Sequence, residues 1–321
     1  VVLNTGGAGV SGVDAELTFN PSLVQVSSVN PASGSPFSVH PAMTYDNSAG
    51  TISISSVVGS SGPAVSGAAV DVAEIVFTPV ASSASTGVNF SFTAGSLNDS
   101  NVASFVSSGQ ESTDLLASVF GQTFTINPTT TSTPTPTPVP TATVLPTPTP
   151  TVLPTPTPTV VPSPSPTVGP NQLTIKLGFQ GKQRAEVDKS REVSIRYKTV
   201  TGTEQSFVGT TNSDGEISMN LPAGNYLFLI ESAGYLDRGY GTASNPIIVS
   251  GGSAYLDLTS KVLLGGDFNN DNEVNEVDYT LHFAGAFGTN NPLVDLDSSG
   301  IVNSLDYSIV RSNWNLTADA F

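Results

Sequence analysis

The chain has 321 residues, room for two or three domains of ~100 to 200 residues each, and carries 26 acidic against 10 basic groups for a net charge of -16. That charge repels phosphate backbones and anionic membrane faces, which argues against nucleic acid as a partner, and no apolar run approaches the ~18 to 20 residues that cross a bilayer. Cysteine is absent and only His40 and His282 offer imidazole, so disulfides, thiolate catalysis and cysteine-ligated metals are excluded and the expectation is a protein that is not an enzyme.

Charge also divides the chain. Residues 1–127 hold eight acids and no Lys or Arg; residues 128–170 hold no charge and 15 of the 24 prolines; nine of the ten bases lie between Lys176 and Lys261. The expected units are therefore 1–127, a linker at 128–170, 171–261 and 262–321. A start at Val1 with no signal segment reads as a processed or truncated chain.

In the first unit, residues 13–19 alternate, with Val13, Ala15, Leu17 and Phe19 on one face and Asp14, Glu16 and Thr18 on the other, as in a half-buried strand. Further runs at 23–29, 51–58, 70–80, 88–93 and 120–126, parted by Gly, Ser, Asn and Pro, indicate a β-sandwich with no long helix. The stretch GVDAELTFNPSLVQVSSV (12–29) resembles the cohesin family, and DNSAGTISIS (46–55), VAEIVFTPVA (72–81) and DLLASVFGQTFTI (114–126) agree with it. The resemblance implies a nine-stranded jelly-roll sandwich that binds a dockerin on one sheet face. It also implies a strand ahead of VVLNTGG (1–7), which reads as the second one. Two expectations follow: a segment of another copy fills that place by strand addition, or the strand lies outside this sequence.

Residues 144–167 repeat an octet, VLPTPTPT, VLPTPTPT and VVPSPSPT. Proline at every second position removes amide donors and favours polyproline II at ~3.1 Å per residue, a semi-rigid spacer. Its hydroxyls suit O-linked sugars, with Thr135, Thr137, Thr147, Thr149, Thr151, Thr155, Thr157, Thr159, Ser163 and Ser165 as candidate glycosylation sites.

Beyond the linker, runs at 173–180, 192–200, 216–222, 225–232, 246–250 and 254–260 predict a small antiparallel β-sandwich. The string DGEISMNLPAGNYLFLIESAGYL (214–236) resembles the carboxypeptidase-regulatory-like, transthyretin-type family. That resemblance implies a spacer or stabilising X-type module, of the kind that precedes a dockerin.

The last unit holds a duplicated loop: GDFNNDNEVNEVDYTLH (266–282) and VDLDSSGIVNSLDYSIV (294–310) align with a shift of 28 residues. Calcium takes six to eight hard oxygens, which a 12-residue loop supplies from positions 1, 3, 5, 7, 9 and 12. Loop one offers Asp267, Asn269, Asp271, the carbonyl of Glu273, Asn275 through a water, and Asp278. Loop two offers Asp295, Asp297, Ser299, the carbonyl of Ile301, Asn303 and Asp306. Position 6 needs a residue that tolerates positive φ, and Asn272 and Gly300 stand there. Ser299 in place of Asp271 predicts the weaker site in loop two, with two Ca2+ in all. Two such loops in register, each followed by a short helix, resemble a dockerin. The resemblance implies a partner surface at Glu276, Val277, Tyr279 and His282 and at Ser304, Leu305, Tyr307 and Arg311.

The fold class expected is mostly β, with a small α-helical calcium-loop domain at the carboxy end. A cohesin-like end and a dockerin-like end in one chain predict an extracellular or cell-surface structural protein that joins other copies of itself head to tail into a fibre or scaffold. The alternative is a cellulosome-type adaptor that binds cohesin or dockerin partners on other proteins. A carbohydrate-binding or catalytic module would need a carboxylate pair or an aromatic platform, and Trp314 is the sole Trp.

Overall fold

The structure, a computed structural model, describes residues 1–127, 172–250 and 252–321. The predicted linker and all ten candidate glycosylation residues lie outside the described residues.

The amino-terminal module contains β1 (Val2–Leu3), β2 (Val10–Phe19), β3 (Val24–Pro31), β4 (Val39–Asp46), β5 (Thr51–Val57), β6 (Val70–Asp71), β7 (Ala73–Pro79), β8 (Ser83–Phe90), β9 (Asn101–Ser104) and β10 (Gln122–Ile126). One sheet runs β10-β8-β2-β5-β4, with β9 also paired to β2; β3 pairs β7, and β1 pairs β6. The alternation read in residues 13–19 holds: Val13, Ala15, Leu17 and Phe19 join Val24, Val26, Ile52 and Ile54 in one apolar core. All pairings in this module are antiparallel.

Two strands here carry no clear alternation in the sequence. Strand β4 is a half-buried edge strand containing Pro41, and β9 has only four residues. The run expected at 70–80 is broken at Val72, and the strand expected from residue 120 begins at Gln122, leaving Phe120 85% exposed.

The middle module contains β11 (Gln172–Lys176), β12 (Glu192–Thr199), β13 (Gln205–Thr210), β14 (Glu216–Asn220), β15 (Gly224–Ser232), β16 (Tyr235–Tyr240), β17 (Ile247–Val249) and β18 (Ala254–Asp257). Its sheets run β14-β11-β18 and β13-β12-β15-β16, with β17 on β15. The sandwich is not wholly antiparallel as expected, because β18 returns alongside β11 in parallel. Strands β13 and β16 escape the sequence reading; β13 is an edge strand with exposed polar residues, and β16 follows β15 through a two-residue turn.

The carboxy-terminal module adds α1 (Glu276–Asp278), which continues as a π-helical turn over Tyr279–Phe283, and α2 (Ser304–Ser312). The boundary expected at 261/262 does not separate two cores. One apolar cluster runs from Leu173, Phe179 and Tyr235 of the middle module to Leu263, Phe283, Leu296, Ile309 and Val310. Among the described residues no helix is long and apolar enough to cross a membrane.

Candidate functional site

Helix α2 starts where its sequence says it should. Asn303 is the N-cap: its side chain accepts from Leu305 N, while Asp306 accepts from Asn303 N and closes a capping box. The helix packs against β2, β5 and β9 of the amino-terminal module. Each of its turns makes a polar contact there. Ser304 N donates to Asp14 Oδ2 at 2.9 Å, Tyr307 Oη to the carbonyl of Val58 at 2.7 Å, Ser308 Oγ to that of Ser104 at 2.6 Å, and Arg311 to that of Val106 at 3.0 Å. Ahead of the helix, Asn303 Nδ2 donates to the carbonyl of Leu97 at 2.8 Å. The Arg311 guanidinium lies 3.6 Å from the Phe105 ring centroid, a cation-π contact.

The approach is close because Gly12 has no side chain: a Cβ there would stand 2.7 Å from Ser304 Cβ and 2.8 Å from Val57 Cγ1. Burial under α2 also changes charge. Asp14 is raised above the ordinary carboxylate range, first by desolvation, with hydrogen bonds from Ser304 and Ser55 opposing it.

The middle module touches the same region. Gly181 N donates to Glu111 Oε1 at 2.6 Å and Gln180 to the carbonyl of Gln110 at 2.8 Å. Lys182 Nζ donates to Ser298 Oγ and Arg184 to the carbonyl of Asp297. The loop after β11 thus bridges the amino-terminal module and the second duplicated loop. The sequence reading assigned no such residues, and four polar side chains within 180–184 were the signal available.

The partner surface expected from the dockerin resemblance is only half engaged. Ser304, Leu305, Tyr307 and Arg311 are buried. Their counterparts behave differently: Glu276 and Val277 are exposed, His282 is half-buried, and no hydrogen bond joins α1 to the amino-terminal module among the described residues. Tyr279 packs inward instead, edge-on to Tyr307 at 5.9 Å and to Trp314 at 6.4 Å. Sequence duplication made the two helices look equivalent, whereas the first turns π-helical from Tyr279 and α2 stays a regular helix over nine residues and reaches the sheet.

Both loops wrap inward in one way. Asp267 accepts from Asp271 N and Asn272 N, and Asp295 from Ser299 N and Gly300 N. Asp278 accepts from Phe268 N, Asn269 N and Asn275 N, and Asp306 from Leu296 N, Asp297 N and Asn303 N. The two sixth positions take the expected positive φ, 68° at Asn272 and 92° at Gly300.

In loop two the carboxylates of Asp295, Asp297 and Asp306 offer oxygens within 4.8 Å of one another, all three buried; among the described residues no other such group forms. Burial, ahead of mutual repulsion, pushes Asp297 up to about 6 and Asp306 well above its usual value, and burial likewise raises Asp267 in loop one to about 6. Three converging buried carboxylates fit a hard divalent cation, which would supply the missing positive charge.

Solved structures with some likeness include a C-terminal interface mutant of a type II cohesin–X–dockerin complex from Acetivibrio cellulolyticus. It is 20% identical with TM-score 0.36 and covers 46% of this chain and 97% of that one. A type II cohesin dyad from the adaptor scaffoldin ScaA of the same organism is 6% identical with TM-score 0.26, covering 78% and 89%. The major pilin subunit BcpA of Bacillus cereus is 11% identical with TM-score 0.19, covering 78% and 59%. None of the curated proteins matches the chain. Residues 1–111 match the family model of the cohesin domain.

Proposed function

We propose that the chain is an extracellular, non-enzymatic connector that links copies of itself head to tail, with the cohesin module of one copy receiving helix α2 of the next. The single observation that supports this is that one chain carries both halves of a complementary interface, the β2/β5/β9 face and α2. Such a contact joins two different surfaces, so it propagates or closes into a ring. A proline-rich spacer, as the sequence reads, favours propagation because stiffness lowers the effective concentration of a chain's own α2.

In this reading two Ca2+ ions, held by Asp267, Asn269, Asp271, Asp278 and the carbonyl of Glu273 and by Asp295, Asp297, Ser299, Asp306 and the carbonyl of Ile301, neutralise the clustered carboxylates. That neutralisation fixes the start of α2, because Asp306 serves both as ligand and as capping residue. The X-type module braces loop two through Lys182 and Arg184. The hydroxyls of the linker carry O-linked sugars, which intact mass of the native protein tests.

Sedimentation velocity of the full chain across a concentration series, in calcium and in chelator, decides the matter. Growth with concentration in calcium alone supports head-to-tail linkage. A calcium-loaded monomer at every concentration overturns it and favours an adaptor with partners on other proteins.

A further inference from the structure

Residues 315–319 follow α2 and form no helix, yet they join two distant parts of the chain. They run antiparallel to the middle of loop one. Asn315 N donates to the carbonyl of Val274 at 2.7 Å, Val274 N to that of Leu316 at 3.0 Å and Ala318 N to that of Asn272 at 2.9 Å, with Glu273 facing Thr317. These bonds fix positions 6 to 8 of the loop, the backbone that turns at the positive φ of Asn272 and offers the Glu273 carbonyl.

One residue further on, the same segment is tied to β16 of the middle module. Asp319 N donates to the carbonyl of Asp237 at 3.0 Å. Asp319 Oδ2 accepts from Gly239 N at 3.0 Å and from Lys261 Nζ at 2.8 Å, with the Arg238 guanidinium 3.6 Å away. Hydrogen bonds to a charged group are stronger than neutral ones, which suits an anchor.

Loop two lacks such an anchor. Its equivalent backbone is paired as well, with Val302 N donating to the carbonyl of Thr289 and Gly288 N to that of Val302, both at 2.9 Å. Residues 288–292, however, lead directly into loop two, and among the described residues none of them hydrogen-bonds to the middle module. In the duplication, Asn291 stands where the second half has Asp319, and its side chain accepts from Leu293 N within its own turn.

We propose that residues 315–319 are a strap through which the middle module sets the calcium affinity of loop one, with Asp319 as the positioning residue that holds it. Ordering a loop backbone costs conformational entropy, so a loop already held at Asn272 and Val274 loses less when an ion binds. The strap acts by pre-organisation and supplies no ligand. The role of Asp319 rests on the calcium reading above and places a determinant of affinity outside both loops.

Calcium titration calorimetry of the full chain tests this. Asp267→Ala, which removes loop one's first ligand, identifies which of the two sites is loop one's. Asp319→Ala should weaken that site about tenfold and leave the other within about twofold, and Asp319→Asn, which keeps an acceptor for Gly239 N, should recover part of the loss. Lys261→Met removes one donor to the same carboxylate from an exposed side chain, a milder change that should weaken the site about threefold. In saturating calcium, the amides of Val274, Asn315 and Ala318 should exchange about tenfold faster in Asp319→Ala than in the unaltered chain, and that of Val302 at an unchanged rate. Equal weakening of both sites in the two variants, or of neither, overturns the strap and leaves the calcium reading standing. An unaltered chain that takes up no calcium overturns both.

Discussion

The carboxylate of Asp14 accepts the backbone N–H of Ser304 at 2.9 Å, across 290 residues of sequence. Asp14 lies on the polar side of β2, the side that alternation assigns to solvent, and it is 4% exposed because α2 starts on top of it. An anion at the amino end of a nine-residue helix is favoured by the unpaired N–H groups there.

Replacing this carboxylate should weaken the docking. Asp14→Ala removes the acceptor for both Ser304 N and Ser55 Oγ in a buried place. A buried charged hydrogen bond contributes ~1.5 to 3 kcal/mol, so calcium-dependent association of the full chain should fall ~10- to 100-fold, as sedimentation equilibrium would measure.

A steric test is independent of charge. Gly12→Val places its Cβ 2.7 Å from Ser304 Cβ, closer than carbon atoms approach. The same Cβ stands 2.8 Å from Val57 Cγ1 of β5, so the amino-terminal module should itself melt somewhat lower, and association measured well below that melting point should drop by at least tenfold.

Calcium should act through the helix start. At a free concentration 100 times the dissociation constant, an ion bound only to the folded loop adds ~2.7 kcal/mol of stability. Chelation should therefore lower the carboxy-terminal melting transition, and Asp306→Ala should abolish the calcium response of loop two while calorimetry still finds one site. If loop two's converging carboxylates dominate, the surviving site in Asp306→Ala is the weaker one.

Glu111 gives a pH signature. Its carboxyl is raised, first by desolvation, with the N–H groups of Gly181 and Gln183 opposing. In the undocked state this group is more exposed and lies nearer its ordinary value, so docking takes up protons between the two values. Association should then strengthen as pH falls through that window. At saturating calcium, Glu111→Gln keeps an acceptor for Gly181 N and should flatten this slope relative to the unaltered chain, as isothermal titration at several pH values would show.

Local chemistry made much of this protein legible. Alternation in residues 13–19 placed four core side chains, and the duplicated Asp-rich loops placed the carboxylates together with the positive φ at Asn272 and Gly300, because these follow from neighbours in sequence. Strands β4, β9, β13 and β16 were not legible, since edge position and short length leave no alternation to read.

By itself the sequence determined the β-rich modules, the proline-rich interval and the duplicated Asp-rich loops. It could not choose between the two helices that duplication made alike. Tertiary structure decided that, because whether a helix docks depends on the surface facing it: Gly12 leaves room, Asp14 offers an acceptor and the Val58, Ser104 and Val106 carbonyls stand in line with α2, on strands and turns more than 190 residues away in the chain.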